Sequence, residues 1–150
     1  MKPPVTTAPA SPATDVAELA TTLRLACMRI SRRVRFESAD AIAPHHFSVL
    51  VHLEKAPRTP GELASVERVS APSMTRTLRG LVDLGYAVRS ADASDRRCVQ
   101  ITITPLGRQV VSATRESRNE WMAARVAKLS AAQQRLLQDA SAILDRLAAQ

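Results

Sequence analysis

Apolar residues recur every three or four positions over most of this chain, which is the period of an amphipathic helix. The first stripe runs from Asp15 to about Phe36, and the same period predicts helices over residues 44–55, 60 to about 66, 71–84, 106 to about 129, and from 131 onward. In one place the pattern changes to alternation, with Val99, Ile101 and Ile103 on one side of a strand. We therefore expect a mainly α chain with a small β element.

Capping residues mark where several of these helices begin and end. Thr59 is followed three residues later by Glu62, which is the spacing of a capping box, and a second box opens the last helix at Ser130. Ser70 is placed to cap the helix that runs to Gly85, a residue that readily adopts the left-handed conformation at a helix end. A short helix, a tight turn and a second helix in this order predict a helix-turn-helix.

The segment after Gly85 predicts a β-hairpin with strands over Tyr86–Ser90 and Cys98–Thr104. Its loop carries two carboxylates and two guanidinium groups, from Asp92, Asp95, Arg96 and Arg97. A basic hairpin directly after a basic helix is the layout of a winged helix-turn-helix. In that fold the helix enters the major groove of DNA, and the loop reaches phosphates or the minor groove.

The helix over residues 71–84 has an apolar side and a polar side. Stepping 100° per residue places Met74, Leu78, Leu81 and Val82 together as core residues. The best candidates for DNA contact, because groove-reading helices use their N-terminal half, are Ser73, Thr75, Arg76 and Arg79. Arg76 is the first choice for a base or a close phosphate. Thr59 and Ser70 are predicted as caps that also lie near phosphates.

Composition favours an anionic partner. The formal net charge is +7 and comes mostly from arginine, which binds phosphates and guanine edges in a bidentate manner. Aromatic residues make up only 3% of the chain, so the stacking platforms of single-strand binders are scarce and duplex DNA is favoured. Residues 1–14 are rich in proline and predict a flexible tail. No secretory signal or membrane span is expected, which favours the cytoplasm.

The sequence also resembles a known family. The resemblance is to the MarR family of bacterial regulators. The end of the recognition helix, the wing and the wing exit of that family are similar to residues 81–89, Asp92, residues 95–97 and residues 104–107. Its helix-turn-helix is similar to residues 60–64 and 73–76. The resemblance spans roughly residues 19–147. One departure is Ala93, where the family often has proline after the first wing aspartate.

The resemblance implies a homodimer on a pseudo-palindromic operator, with dimerisation helices over residues 15–36 and 106–150 and a winged DNA-binding domain over residues 37–105. It implies that Arg97 or Arg96 enters the minor groove, held by Asp95 and Asp92. It further implies a repressor relieved by a small phenolic or other amphipathic ligand. By rough position, that ligand's cleft would include Arg24, Met28, His46, Phe47 and Trp121.

The residues give less support to other functions. His45, His46 and His52 have no carboxylate or cysteine at ligand spacing nearby, so no metal or other cofactor is expected. Cys27 lies on the apolar stripe and is expected to be a buried, inert thiol, although a redox-sensing regulator remains an alternative. No catalytic motif indicates an enzyme. A winged domain used only for protein contacts would not need arginines on both helix and wing.

Overall fold

Six helices and one pair of strands form the part of the chain that the computed structural model describes, residues 15–38, 42–91 and 99–149. In chain order they are α1 (Val16–Glu37), α2 (Pro44–Lys55), α3 (Pro60–Val66), α4 (Ala71–Asp83), β1 (Ala87–Ala91), β2 (Val99–Ile103), α5 (Pro105–Val126) and α6 (Ala131–Ala148). The predicted mainly helical fold with a small hairpin is confirmed. In these ranges no helix is long and apolar enough to cross a bilayer.

The core lies where α2, α3 and α4 meet the hairpin and the start of α5. Helix α4 contributes Met74, Leu78 and Leu81, which are fully or almost fully buried, as the helical period predicted. Val82, also expected in the core, is half-buried. Burying an aliphatic side chain of this size contributes about 1.5–3 kcal/mol, so this face fixes how α4 sits on the domain.

The helix ends form as the sequence predicted. The backbone amide of Thr59 donates to Glu62 Oε2 at 2.7 Å, and the Glu62 amide donates to Thr59 Oγ1 at 3.3 Å, which completes the capping box of α3. The hydrogen bond from the Thr59 backbone to the Glu62 carboxylate lowers the pKa of Glu62 below its usual range, and the Thr59 hydroxyl, which donates to Glu62 Oε2 at 3.0 Å, lowers it further. Gly85 ends α4 with a φ of 73°, in the left-handed region that favours glycine.

The strands pair antiparallel, with Ala87 opposite Ile103 and Ala91 opposite Val99. Each strand end differs by one residue from the sequence prediction. The amide of Arg58 donates to the carbonyl of Ile101 at 3.1 Å, and the Ile101 amide donates back to Arg58 at 2.8 Å, so the segment before α3 is joined to β2. The wing residues Asp92, Asp95, Arg96 and Arg97 lie outside the described residues.

The junction between β2 and α5 is tight. Thr104 Oγ1 donates to the carbonyl of Gly85 at 2.7 Å and accepts the Gly107 amide at 3.0 Å. A Cβ atom on Gly107 would overlap the backbone carbonyl oxygen of Tyr86 and lie 2.8 Å from Ile103 Cγ1. Glycine at position 107 is therefore required by the close approach of α5 to the chain that enters the hairpin.

The inner face of α5 differs from the face that the sequence pattern predicts. The helical period of the sequence predicts Leu106, Val110, Ala113, Trp121 and Ala124 on that face. The structure buries Trp121 and packs Val110 partly buried against the core, as predicted, but Leu106, Ala113 and Ala124 are exposed. Gly107, Val111 and Thr114 are buried in their place. The face is turned by one residue over the first half of the helix, because the Gly107 contact with Tyr86 fixes the rotation of α5 at its start.

The two end helices leave their apolar stripes exposed. The chain separates into a first unit that ends at Arg33 and a second that begins at Val34, and α1, which supplies most of the first, has no buried residue. Cys27 was expected to be buried, and this is wrong: its side chain is exposed, because the stripe on which it lies is not covered within this unit. In α6, Leu136 and Ile143 are likewise exposed, by 68% and 57%.

We predict that Gly107→Ala destabilises the domain by about 1–3 kcal/mol, because the new methyl group meets backbone that cannot move without repacking. Urea denaturation followed by circular dichroism measures the free energy of unfolding. Gly61→Ala is the matched control, because a Cβ atom there meets nothing within 4 Å. Equal stability of the two variants would contradict the account of this junction.

Candidate nucleic-acid interface

The outward face of α4 carries the side chains that the sequence analysis selected. Ser73, Thr75, Arg76 and Arg79 are all exposed, while the opposite face of the helix is held in the core. The Thr75 hydroxyl donates to the carbonyl of Ala71 at 2.9 Å, so its methyl group points away from that bond. A helix anchored on one side with exposed arginines and hydroxyls on the other can be inserted into a groove without unfolding.

Thr59 and Ser70 are both engaged in helix capping. The Ser70 hydroxyl accepts the Ser73 amide at 3.4 Å and donates to the Ser73 hydroxyl at 3.0 Å, and Thr59 belongs to the capping box of α3. Capping is the role that the sequence favoured for both.

Three further arginines lie on the segments next to α4, and the sequence analysis did not select them. Arg68 is exposed in the turn between α3 and α4 and has a φ of 54°, which is uncommon for a residue with a side chain. Arg89 is exposed on β1, and Arg58 is half-buried beside β2. Their position in the turn and at the hairpin is the signal that could have pointed to them.

A pocket of about 400 Å³ lies between α2 and α4. It is lined by His45 and His46 from α2 and by Ser73, Arg76 and Thr77 from α4. The two imidazole rings are 4.3 Å apart between centroids. Burial of the His46 ring lowers its pKa, and the neighbouring His45 lowers it further. Sequence reasoning placed His46 in a ligand cleft, whereas the structure places it beside Arg76.

A second cleft, of about 270 Å³, lies on the other side of α2. Its walls combine apolar surface from Phe47 and Val51 with the cationic groups of Arg35 and Arg118. The Arg118 guanidinium lies 4.1 Å from the centre of the Phe47 ring. Pro44, Ser48 and His52 complete the lining. The cleft can therefore accept a molecule that has both an apolar part and a negative charge.

Of the five predicted ligand residues, Phe47 lines this cleft. Trp121 is buried on α5 under the guanidinium of Arg125, at 3.3 Å from its ring centre. Arg24 and Met28 lie together on α1, where Arg24 Nη1 is 3.4 Å from Met28 Sδ. The side chains that sequence reasoning missed, Arg35, Ser48 and Arg118, come from distant parts of the chain, so no local motif could have grouped them.

Two residues of this cleft, Ser48 and His52, also contact Glu67 in the helix-turn-helix. The Ser48 hydroxyl donates to Glu67 Oε1 at 2.6 Å, and His52 Nε2 lies 3.0 Å from the same oxygen. Glu67 is the C-terminal cap of α3 and directly precedes Arg68, whose backbone is in the left-handed region. The cleft and the turn before α4 thus share hydrogen-bonded side chains.

Within the described ranges, no three His, Cys, Asp or Glu side chains lie together as a metal site needs.

Comparison with known proteins agrees with this geometry. Residues 42–97 match the sequence model of the MarR family. A helix-turn-helix-type transcriptional regulator of Mycobacterium tuberculosis is 37% identical over 130 residues, which cover 85% of this chain and 91% of the relative. A similar regulator of Mycobacterium leprae is 35% identical over the same length.

Solved structures show the same fold. A protein of Pseudomonas aeruginosa assigned as a transcriptional regulator superposes with a TM-score of 0.78 at 30% identity, over 91% of this chain and 98% of that one. A mutant of MepR from S. aureus, solved bound to an oligodeoxyribonucleotide, superposes with a TM-score of 0.64 at 19% identity, over 86% of this chain and 97% of that one.

Proposed function

This chain belongs to the MarR family of transcriptional regulators and has a DNA-binding winged helix-turn-helix fold, and from that premise we propose that it is a homodimeric repressor released from DNA by a small amphipathic anion. The observation that carries the proposal is the exposed polar face of α4, which presents Arg76 and Arg79 opposite a buried apolar face. The helix can enter the major groove while the core holds its angle to the domain.

The wing completes the proposed contact with DNA. Arg96 or Arg97 is proposed to enter the minor groove, with Asp92 and Asp95 orienting the guanidinium group. Support comes from the described strands: three residues separate the end of α4 at Asp83 from the start of β1 at Ala87, so the paired strands belong to the same domain as the recognition helix.

The proposed dimer would use the helices at the two chain ends, residues 15–36 and 106–150. Exposed apolar stripes on α1 and on α6 support this, since such surface is costly to leave in water. The proposed winged domain of residues 37–105 also involves the start of α5, because Val111 packs into the core of that domain.

The proposed ligand is a small carboxylate with an aromatic ring. The cleft beside α2 supports it, because Arg35 and Arg118 supply positive charge next to Phe47 and Val51. A carboxylate that competes for Ser48 or His52 would loosen their hold on Glu67 and so disturb the turn before α4. Ligand binding and DNA binding would then weaken each other by the same factor.

The role of Arg76 is tested by Arg76→Ala. We expect the preference for operator over random DNA to fall by ~5- to 150-fold, the equivalent of about 1–3 kcal/mol for one lost bidentate base contact. Fluorescence anisotropy with a duplex selected from a random pool by the parent protein, and with a random-sequence duplex, measures both affinities. Arg135→Ala, on the exposed surface of α6, is the control. An unchanged preference in Arg76→Ala removes this residue from base recognition.

The proposed dimer is tested by Ile143→Glu, which places a charge on the exposed stripe of α6. The parent should sediment with twice the mass of one chain, and the variant should shift toward one chain, because an unpaired charge is costly to bury at an interface. Gln138→Glu, at an exposed position of the same helix, should remain dimeric. A parent that sediments as one chain at all concentrations contradicts the proposal.

The proposed ligand response is tested with 2-hydroxybenzoate as the probe. In the parent, millimolar probe should weaken binding to the selected duplex. Arg118→Ala should lose this response, because it removes the cation stacked on Phe47. Arg108→Ala, at an exposed position of the same helix, is the matched control and should respond like the parent.

A second variant separates binding from coupling. Glu67→Ala removes the acceptor shared by Ser48 and His52, so the probe should still bind by calorimetry while its effect on DNA affinity shrinks. If Glu67→Ala responds to the probe as the parent does, the route through Glu67 is wrong.

A further inference from the structure

We propose that His45 and His46 on α2, together with Ser73 on α4, hold one phosphate of the DNA backbone, so that α2 contacts DNA beside the recognition helix. The inference rests on the proposed DNA-binding function and adds residues and an element to it. Neither histidine was among the residues expected to contact DNA.

The pocket between α2 and α4 has the chemistry of an anion site. Four of its five lining side chains offer hydrogen-bond donors to the pocket: two imidazoles, the Ser73 hydroxyl and the Arg76 guanidinium group. The Thr77 hydroxyl donates to the carbonyl of Ser73 at 3.2 Å. No carboxylate is among the lining residues, and a volume of about 400 Å³ is ample for a phosphodiester group. A phosphodiester is negatively charged and offers only acceptors, so it complements this lining.

The position of the pocket favours a backbone phosphate over a base. Ser73 and Thr77 lie on the flank of α4 that faces α2, and they line the pocket with that helix. Arg76 also lines the pocket, but it lies at the centre of the exposed face, opposite the buried Met74, Leu78 and Leu81. Thr75 and Arg79 lie on the other flank of the exposed face. A helix in the major groove directs its outermost side chains to the base edges, and its flanks face the sugar-phosphate walls of the groove.

Gly80 gives independent support. A Cβ atom at this position would lie 3.0 Å from His46 Nε2 and 3.1 Å from His46 Cε1. Glycine in a helix interior is less favourable than alanine, so Gly80 weakens α4 at the point where the imidazole of His46 contacts it. The absence of a side chain at position 80 leaves the space that the ring occupies beside Arg76.

The pocket also predicts a dependence on pH. Burial and the neighbouring His45 lower the pKa of His46, so its ring is neutral in the free protein near neutral pH. Arg76 is the charged group that faces the two rings from α4. A phosphate would favour the protonated ring, so the complex takes up protons and its affinity rises as pH falls.

The other charged groups of α2 are His52, Glu54 and Lys55, and none of them lines this pocket. Glu54 pairs with Arg115 of α5 at 2.7 Å, and His52 pairs with Glu67 at 3.0 Å. The proton uptake is therefore assigned to His46.

The test compares the parent with the double variant His45→Gln, His46→Gln on the selected duplex and on a random-sequence duplex. The slope of log affinity against log salt concentration should become shallower by ~0.9, the loss of one phosphate contact, on both duplexes alike. From about pH 8 to about pH 5.5 the parent's affinity should rise, by at most roughly tenfold per pH unit for each proton taken up, and the double variant's rise should be much smaller.

Lys128→Gln is the matched control for charge, since it removes a cation from an exposed position after α5 and should retain the parent's pH profile. Gly80→Ala keeps both histidines in the sequence, but its methyl group displaces the His46 ring. This variant should weaken binding to both duplexes, and circular dichroism checks that it is folded. A parent that binds no duplex overturns the proposed function and this inference with it. A parent that binds DNA while the double variant keeps its salt slope and pH profile overturns this inference alone.

Discussion

Burial of one face of α4 is the constraint on which the rest of the structure depends. Met74, Leu78 and Leu81 are withdrawn almost completely from water, and they pack against α2, α3 and the hairpin. Because these contacts fix the rotation of the helix about its axis, Arg76 and Arg79 are held outward. The same rotation turns the flank with Gly80 toward α2, where His46 rests against it.

The connections around α4 tie it to both of its neighbours. Ile101 pairs with Arg58 as well as with β1, so hydrogen bonds join the hairpin to the segment that enters α3. On the other side, Ser48 and His52 hold Glu67 at the start of the turn. Helix α2 therefore lines both pockets, one facing the recognition helix and one facing α5.

The sequence was most informative where the signal was local. The box at Thr59 and Glu62, the left-handed Gly85 and the inner face of α4 all follow from spacing alone, and the structure confirms them. The inner face of the first half of α5 was predicted one residue out of place, because the packing of Gly107 on Tyr86 is a tertiary contact that no periodicity contains.

The two pockets could not be predicted from the sequence for the same reason. His46 and Arg76, or Phe47 and Arg118, meet only in the folded domain. Cys27 was predicted to be buried because its stripe was assumed to be covered within one chain.

We propose that the exposed face of α4 recognises a specific sequence in duplex DNA. This is tested by selecting bound duplexes from a fully random pool with the purified protein. We expect enrichment of a pseudo-palindrome whose half-sites lie about one helical turn, or ~10 base pairs, apart. Recovery of duplexes with no shared sequence after repeated rounds would contradict it.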